Sequence, residues 1–141
     1  QSAKKIGAVC ILLIKSVFDN DLAEGSMEKF SAQARAKGLS TLVEVHSENE
    51  FKEILEESAG YGLIGINNRD LSTLEVDLDV TRRLLKKHDK GKNIIVSESG
   101  INLPSQIVFL KEAGADPFLI GTGIIKSGNI SSKVRELYQS F

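Results

Sequence analysis

The sequence predicts an α/β fold in which about five parallel strands alternate with helices. Three observations predict it. Five short apolar runs rich in Val, Ile and Leu recur roughly 20 to 30 residues apart. Each is followed by polar residues and then a helical pattern, and no hairpin dipeptide joins any two of them. The runs are continuously apolar rather than alternating, as parallel strands covered on both faces are.

In chain order, "QSAKKIGA" reads as the last turn of a helix ending at Gly7, which predicts that the chain is a piece of something longer. "AVCILLI" (8–14) is the first strand, and Cys10 within it reads as a small buried hydrophobe. "SMEKFSAQARAKG" places Met27, Phe30, Ala34 and Ala36 at helical spacing, with Gly38 as its stop. "TLVEV" (41–45) is the second strand. "SENEFKEILEESAG" opens on a Ser47 to Glu50 capping box and sets Phe51, Ile54 and Leu55 on one face. "LIGI" (63–66) and "NIIVS" (93–97) are the third and fourth strands, separated by the helix in "VDLDVTRRLLKKHD". "LPSQIVFLKEAGA" follows, with Pro104 tolerated in a first turn. "PFLIG" (117–121) is the fifth strand, ahead of a short helix in "GIIKS" and a last one in "SSKVRELYQSF". The junctions "KKIGAVCILLI", "AKGLSTLVEV", "SAGYGLIGI" and "EAGADPFLI" each pair a helix end with a glycine fit for a left-handed cap.

The 141 residues read as a single domain, 1–141, with 41% hydrophobic and 26% charged residues, ordinary for a globular protein. A net charge of −1 argues against a nucleic-acid surface. No apolar run approaches the roughly 20 residues of a membrane span, and no signal peptide stands at the start. A single cysteine forms no internal disulfide, which fits a cytoplasmic protein. The sequon "NIS" at Asn129 reads as chance.

Two architectures share this periodicity: an open doubly wound sheet, complete with five strands, and part of a (β/α)8 barrel, whose full length is about 250 residues. The strand ends separate them. Glu44 lies in "LVEVH"; Asn67, Asn68 and Arg69 follow "IGI"; Glu98 and Ser99 follow "IIVS"; Gly121 and Thr122 follow "FLI". An open sheet binds its ligand at one switch point, whereas a barrel turns every strand end toward one pocket. The expectation is a partial (β/α)8 TIM barrel containing strands four to eight, with strands one to three absent.

The same ends carry the chemistry. A carboxylate inside an apolar strand, such as Glu44 or Glu98, is expensive to bury unless paired or functional; an ion pair of Glu98 with Arg69 is the structural alternative. Ser99-Gly100 and Gly121-Thr122-Gly123 follow the last two strands, where barrels seat a phosphate on backbone amides. The alternative is that these glycines only terminate strands. His46 reads as an exposed or helix-capping residue, and His88 in "KKHDKGK" as part of a solvated charge run. No Cys/His spacing suits a metal, and neither GxGxxG nor a Walker loop is present, so no cofactor is expected.

The segments "LVEVH", "IGINNRDLSTLEVD", "VSESGI" and "EAGADPFLIGTGIIKS", in this order and spacing, resemble the indole-3-glycerol-phosphate synthase family, a (β/α)8 carboxy-lyase of tryptophan biosynthesis. The resemblance implies ring closure, decarboxylation and dehydration of a carboxyphenylamino-deoxyribulose phosphate. It implies that Glu44 takes part in proton transfer, that Asn67 orients the substrate with Arg69 at the rim, and that Glu98 and Ser99 lie near its hydroxyls and phosphate. Gly100, Gly121 and Thr122 match the phosphate cradle, where Thr122 stands at a position often Ser or Glu. The family's catalytic lysines come from strands one and three, and Lys15 is the only lysine near a strand end here. The chain alone is therefore expected to turn over substrate negligibly.

Other phosphate-binding barrels, of the phosphoribosylanthranilate isomerase or thiamine-phosphate kind, would explain the glycines but not "INNRD" with "LVEVH". A non-catalytic half-barrel module is the reading from another class. Its unpaired edge strands favour self-association or pairing with an N-terminal half-barrel; a clean monomer in light scattering would argue for the open sheet.

Overall fold

The computed structural model describes residues 2–57, 61–115 and 117–140. Its sheet contains β1 (Cys10–Ile14), β2 (Ser40–Val45), β3 (Leu63–Asn67), β4 (Ile94–Glu98) and β5 (Phe118–Leu119), all parallel, in the order β1-β2-β3-β4-β5. A short α1 (Ser2–Lys5) precedes β1, and α2 (Lys15–Asp19) and α3 (Met27–Ala36) lead to β2. The next crossovers are α4 (Glu48–Glu56), α5 (Asp79–Lys87) and α6 (Pro104–Glu112), while α7 (Thr122–Ile125) and α8 (Ile130–Tyr138) follow β5.

Each predicted apolar run supplies a strand. Spatial order equals chain order, so every crossover steps the same way and the sheet has no switch point at which the order reverses. That decides between the two architectures: this is a half-barrel, part of a (β/α)8 barrel.

The outer face is the core. Val43, Val45, Ile64, Ile66 and Ile95 project from the strands onto Phe51, Ile54 and Leu84 of α4 and α5. A second cluster, Ile101, Ile107, Leu110 and Leu137, ties α6 to α8. The inner face differs from the sequence expectation of cover on both sides. Leu12, Leu42, Leu63 and Ile94 form one register row across four strands. Leu12 and Ile94 in that row are 45% and 47% exposed, and Leu119 on β5 is 52% exposed. In a closed barrel such rows interdigitate with the facing strands. Cys10, predicted as buried, is only half-buried because it starts the edge strand.

Local signals set the helix ends. Ser26 accepts from Lys29 N at 3.3 Å, and Asn129 Oδ1 from Ser132 N at 2.9 Å, so the asparagine of "NIS" serves as a helix cap. At α4, Ser47 Oγ accepts from Glu50 N at 3.2 Å while Glu50 Oε2 accepts from His46 N and Ser47 N at 2.6 and 3.2 Å. Ser47→Ala is expected to lower stability by about 1 kcal/mol, measured by urea unfolding. Gly7, Gly38 and Gly114 close their helices with positive φ, as predicted. Ser58, Ala59 and Gly60, read as the end of the helical segment "SENEFKEILEESAG", lie outside the described residues, as do Gln1, Asp116 and Phe141. Among the described residues no helix is long and apolar enough to cross a membrane.

His88 corrects the reading of a solvated charge run. Its ring packs edge-on against Phe51, with centroids 6.0 Å apart, and its Nε2 lies 3.1 Å from Glu48 Oε1. At the C-terminal end of α5 it faces α4 rather than solvent, a direction that charge patterning does not reveal.

Candidate active site

Strand alternation sends Glu44, Gly65, Asn67 and Glu98 to the inner face, at the carboxyl ends of β2, β3 and β4. Glu44 sits beside Gly65, and Asn67 beside Glu98. Both carboxyls are buried, Glu44 at 7% and Glu98 at 3% exposure. Asn67 Nδ2 donates to Glu44 Oε1 at 2.9 Å, and His46 Nε2 lies 2.8 Å from the same oxygen. The amide is turned by its other end, since Asn67 Oδ1 accepts from Arg69 N at 2.9 Å.

The two carboxyls differ in charge. Burial opposes ionisation of Glu44, but hydrogen bonds from His46 and Asn67 and the nearby imidazolium outweigh it and hold its pKa below the ordinary value. Glu98 has no such donors. Burial first, then the negative charge of Glu44, pushes it up to about 7. Its Oε1 is buried with no hydrogen-bond partner among the described residues. His46 is raised above its usual value, chiefly by its hydrogen bond to Glu44. An ionised carboxylate and a carboxyl that is still partly protonated near neutral pH thus share one cleft, a separation of pKa values of the kind that assigns acid and base roles.

His46 corrects the sequence reading. It is neither exposed nor a side-chain cap: its ring is 12% exposed and faces Glu44. The missed signal is its place two residues along the strand from Glu44, hence on the same face. The ion pair of Glu98 with Arg69 does not form. Arg69 Nη1 instead donates to Leu74 O at 2.7 Å, closing the β3–α5 loop, where Arg69 also bridges Val76. Lys15 is committed elsewhere, 2.7 Å from both Asp19 and Glu53.

Adjacent asparagines separate by the same alternation. Asn68 points outward and is 1% exposed. It donates to Ser97 Oγ at 2.9 Å and Glu98 O at 2.8 Å, and accepts from Thr81 Oγ1 at 2.7 Å. The network fixes the end of β4, where Ser99 and Gly100 both take positive φ, 68° and 79°. Gly100 is required twice over, by that φ and because a Cβ there would strike Val76 of the β3–α5 loop. Gly121 and Thr122 are exposed at the start of α7. A Cβ at Gly123 would lie 2.7 Å from Ile101 O, so α7 rests on the loop that follows Gly100. The two predicted small-residue turns are thus neighbours.

The profile of the family described as indole-3-glycerol phosphate synthase matches residues 1–137. The chain belongs to that family. The indole-3-glycerol phosphate synthase of Acetivibrio thermocellus is 42% identical over 134 residues, 95% of this chain and 49% of that protein. The Aquifex aeolicus enzyme of the same name is 42% identical over 96% of this chain and 51% of its own length. The chain therefore spans about half the length of the synthases it matches. Among solved structures, 3-hexulose-6-phosphate synthase superposes with a TM-score of 0.72 at 17% identity, covering 99% of this chain and 65% of that one. Thiamine phosphate pyrophosphorylase from Pyrococcus furiosus gives 0.71 at 19% identity, covering 98% of this chain and 61% of that one. At such identities these two show the shared fold alone. The synthase motifs fall on the strand ends described above, with "VEVH" on β2, "IGINN" across the end of β3 and "VSESG" across the end of β4.

Proposed function

We propose that this chain is the C-terminal portion of an indole-3-glycerol-phosphate synthase, supplying strands four to eight of its barrel and half of its active site. The observation that carries the reading is the buried Glu44–Glu98 pair beside Asn67 at the strand ends, with the pKa of Glu44 held down and that of Glu98 pushed up to about 7. The substrate is a carboxyphenylamino-deoxyribulose phosphate, which closes to an indole with loss of carbon dioxide and water. Dehydration needs a proton taken from one atom and another given to the departing hydroxyl. Glu44, held ionised by His46 and Asn67, is the acceptor; Glu98 keeps a proton to give. Asn67 positions the substrate and Arg69 stands at the rim. Ser99, Gly100, Gly121 and Thr122 form the phosphate seat, supported by the contact of α7 with the β4–α6 loop.

Closing the ring onto a carbonyl requires an acid, and decarboxylation favours a cation beside the developing charge. Lys15 is held by Asp19 and Glu53, so these roles fall to lysines of strands one and three. The open row of Leu12, Leu42, Leu63 and Ile94 is then the surface that an N-terminal half-barrel covers, and without it the chain self-associates. A cytoplasmic location, beside a small phosphorylated metabolite, belongs to the same proposal.

The test joins this chain to strands one to three of the family and follows product formation. Glu44→Gln is expected to lower kcat roughly 10²- to 10⁴-fold, the range of a general acid–base group. An unchanged kcat would overturn the role of Glu44. Steady-state turnover by the 141-residue chain alone, above that of its own Glu44→Gln variant, would refute the need for the missing strands.

A further inference from the structure

Gly65 sits in the middle of β3 between Ile64 and Ile66, which are 1% and 0% exposed. A glycine weakens a buried strand, because it adds backbone freedom in the unfolded chain and packs nothing. Its backbone does not require glycine, for its φ lies outside the positive range. The space around it does. A Cβ built on Gly65 would overlap Glu98 Oε1 and stand 2.9 Å from Glu98 Cδ and 3.5 Å from Leu42 Cδ1. Glu98 itself is paired with Asn67, two residues further along β3, so its side chain leans back across the strand to lie over Gly65. On the far side, Gly65 is the direct partner of Glu44.

We propose that Gly65 is a positioning residue: its missing side chain is the gap through which the Glu98 carboxyl crosses β3 toward Glu44. One strand, β3, separates these residues in the sheet order β2-β3-β4, and a side chain at position 65 would stand between them. The groups gathered there are Glu44 and His46 from β2, Asn67 from β3 and Glu98 from β4, with Glu50 of α4 behind His46 at 3.9 Å from its Nδ1. A flexible carboxylate would escape to solvent if the cleft were open. Instead Glu98 is 3% exposed, so its direction is imposed by what surrounds it.

The inference rests on the acid–base reading of Glu44 and Glu98, but its test reads no turnover. Side-chain carboxyl ¹³C resonances are titrated in the protein and in Gly65→Ala. In the parent, burial and the neighbouring Glu44 are expected to put the Glu98 midpoint near 7. In Gly65→Ala its midpoint is expected to fall by about one unit or more, a tenfold change in its ionisation equilibrium, as it leaves the neighbourhood of Glu44. A folded Gly65→Ala protein whose Glu98 midpoint stays or rises overturns the proposal. If Gly65→Ala does not fold, Gly65→Ala/Glu98→Ala decides: recovery of the folded spectrum supports the clash with Glu98, and continued unfolding overturns it. Failure of the acid–base reading looks different, with the Gly65→Ala shift present while Glu44→Gln leaves kcat unchanged in the joined enzyme.

Discussion

Asn68→Ala is expected to lose about 3 kcal/mol of stability in urea unfolding, more than any cap in the molecule. The amide makes three strong hydrogen bonds inside the protein, to Ser97 Oγ, to the Glu98 carbonyl and from Thr81 Oγ1. Ser97 and Thr81, both 0% exposed, would retain their mutual contact of 3.0 Å, but each would lose a buried hydrogen-bond partner. Stranding a buried polar group costs about 1–3 kcal/mol, and the vacated volume adds to it. The effect extends beyond stability. Asn68 also reaches toward Ser99 O, at 3.4 Å, and Ser99 holds a left-handed backbone that a residue with a Cβ adopts at a cost. Loss of the amide should therefore loosen Ser99–Gly100 and weaken phosphate-dependent binding in the joined enzyme. A loss below 1 kcal/mol would show that the network is not what anchors the end of β4.

Glu98→Gln is expected to reverse the usual sign of a buried substitution, raising stability at pH 8. Glu98 moves from an ordinary 4.5 to about 7 on folding, so the folded chain binds its proton more tightly than the unfolded one. That contribution is fully present below about 4.5, is lost as the pH rises through about 7, and is flat above it. The span corresponds to roughly 3 kcal/mol. His46, raised above 6.5 by Glu44, loses its contribution in the same direction, present below 6.5 and lost as pH rises through its folded value. Glu44 works the other way, its contribution being lost only as pH falls through its depressed folded pKa. Glutamine keeps the neutral shape and removes one titration. Unfolding at pH 5 and pH 8 should show the parent losing stability and Glu98→Gln losing much less, the remainder belonging to His46. Equal slopes in the two proteins would mean that Glu98 ionises as freely in the fold as outside it.

The strands and their direction were readable from residues alone. "TLVEV", "LIGI" and "NIIVS" are apolar because a parallel strand under helices must bury them, and the spacing leaves room only for a crossover. The Ser47–Glu50 box was equally legible, since its two hydrogen bonds close within one turn. The candidate carboxyls stood out too, as Glu44 and Glu98 interrupt apolar runs. Partners across strands did not. His46 was set aside although its parity with Glu44 was available, because sequence spacing does not say whether a ring turns inward or out. Gly65 passed as an ordinary strand residue, since the carboxyl that needs its space comes from 33 positions away.

The sequence by itself determined the alternation of strand and helix, the family, and which residues stand at strand ends, because period and local capping act over a few residues. Only the tertiary structure decided that the Glu44 pKa is held down while that of Glu98 is pushed up, that Arg69 serves its own loop, and that Asn67 and Asn68 face opposite sides of the sheet into different chemistry. Those outcomes depend on burial and on distances across β2, β3 and β4, and electrostatic energy in a low-dielectric interior is set by such distances rather than by separation along the chain.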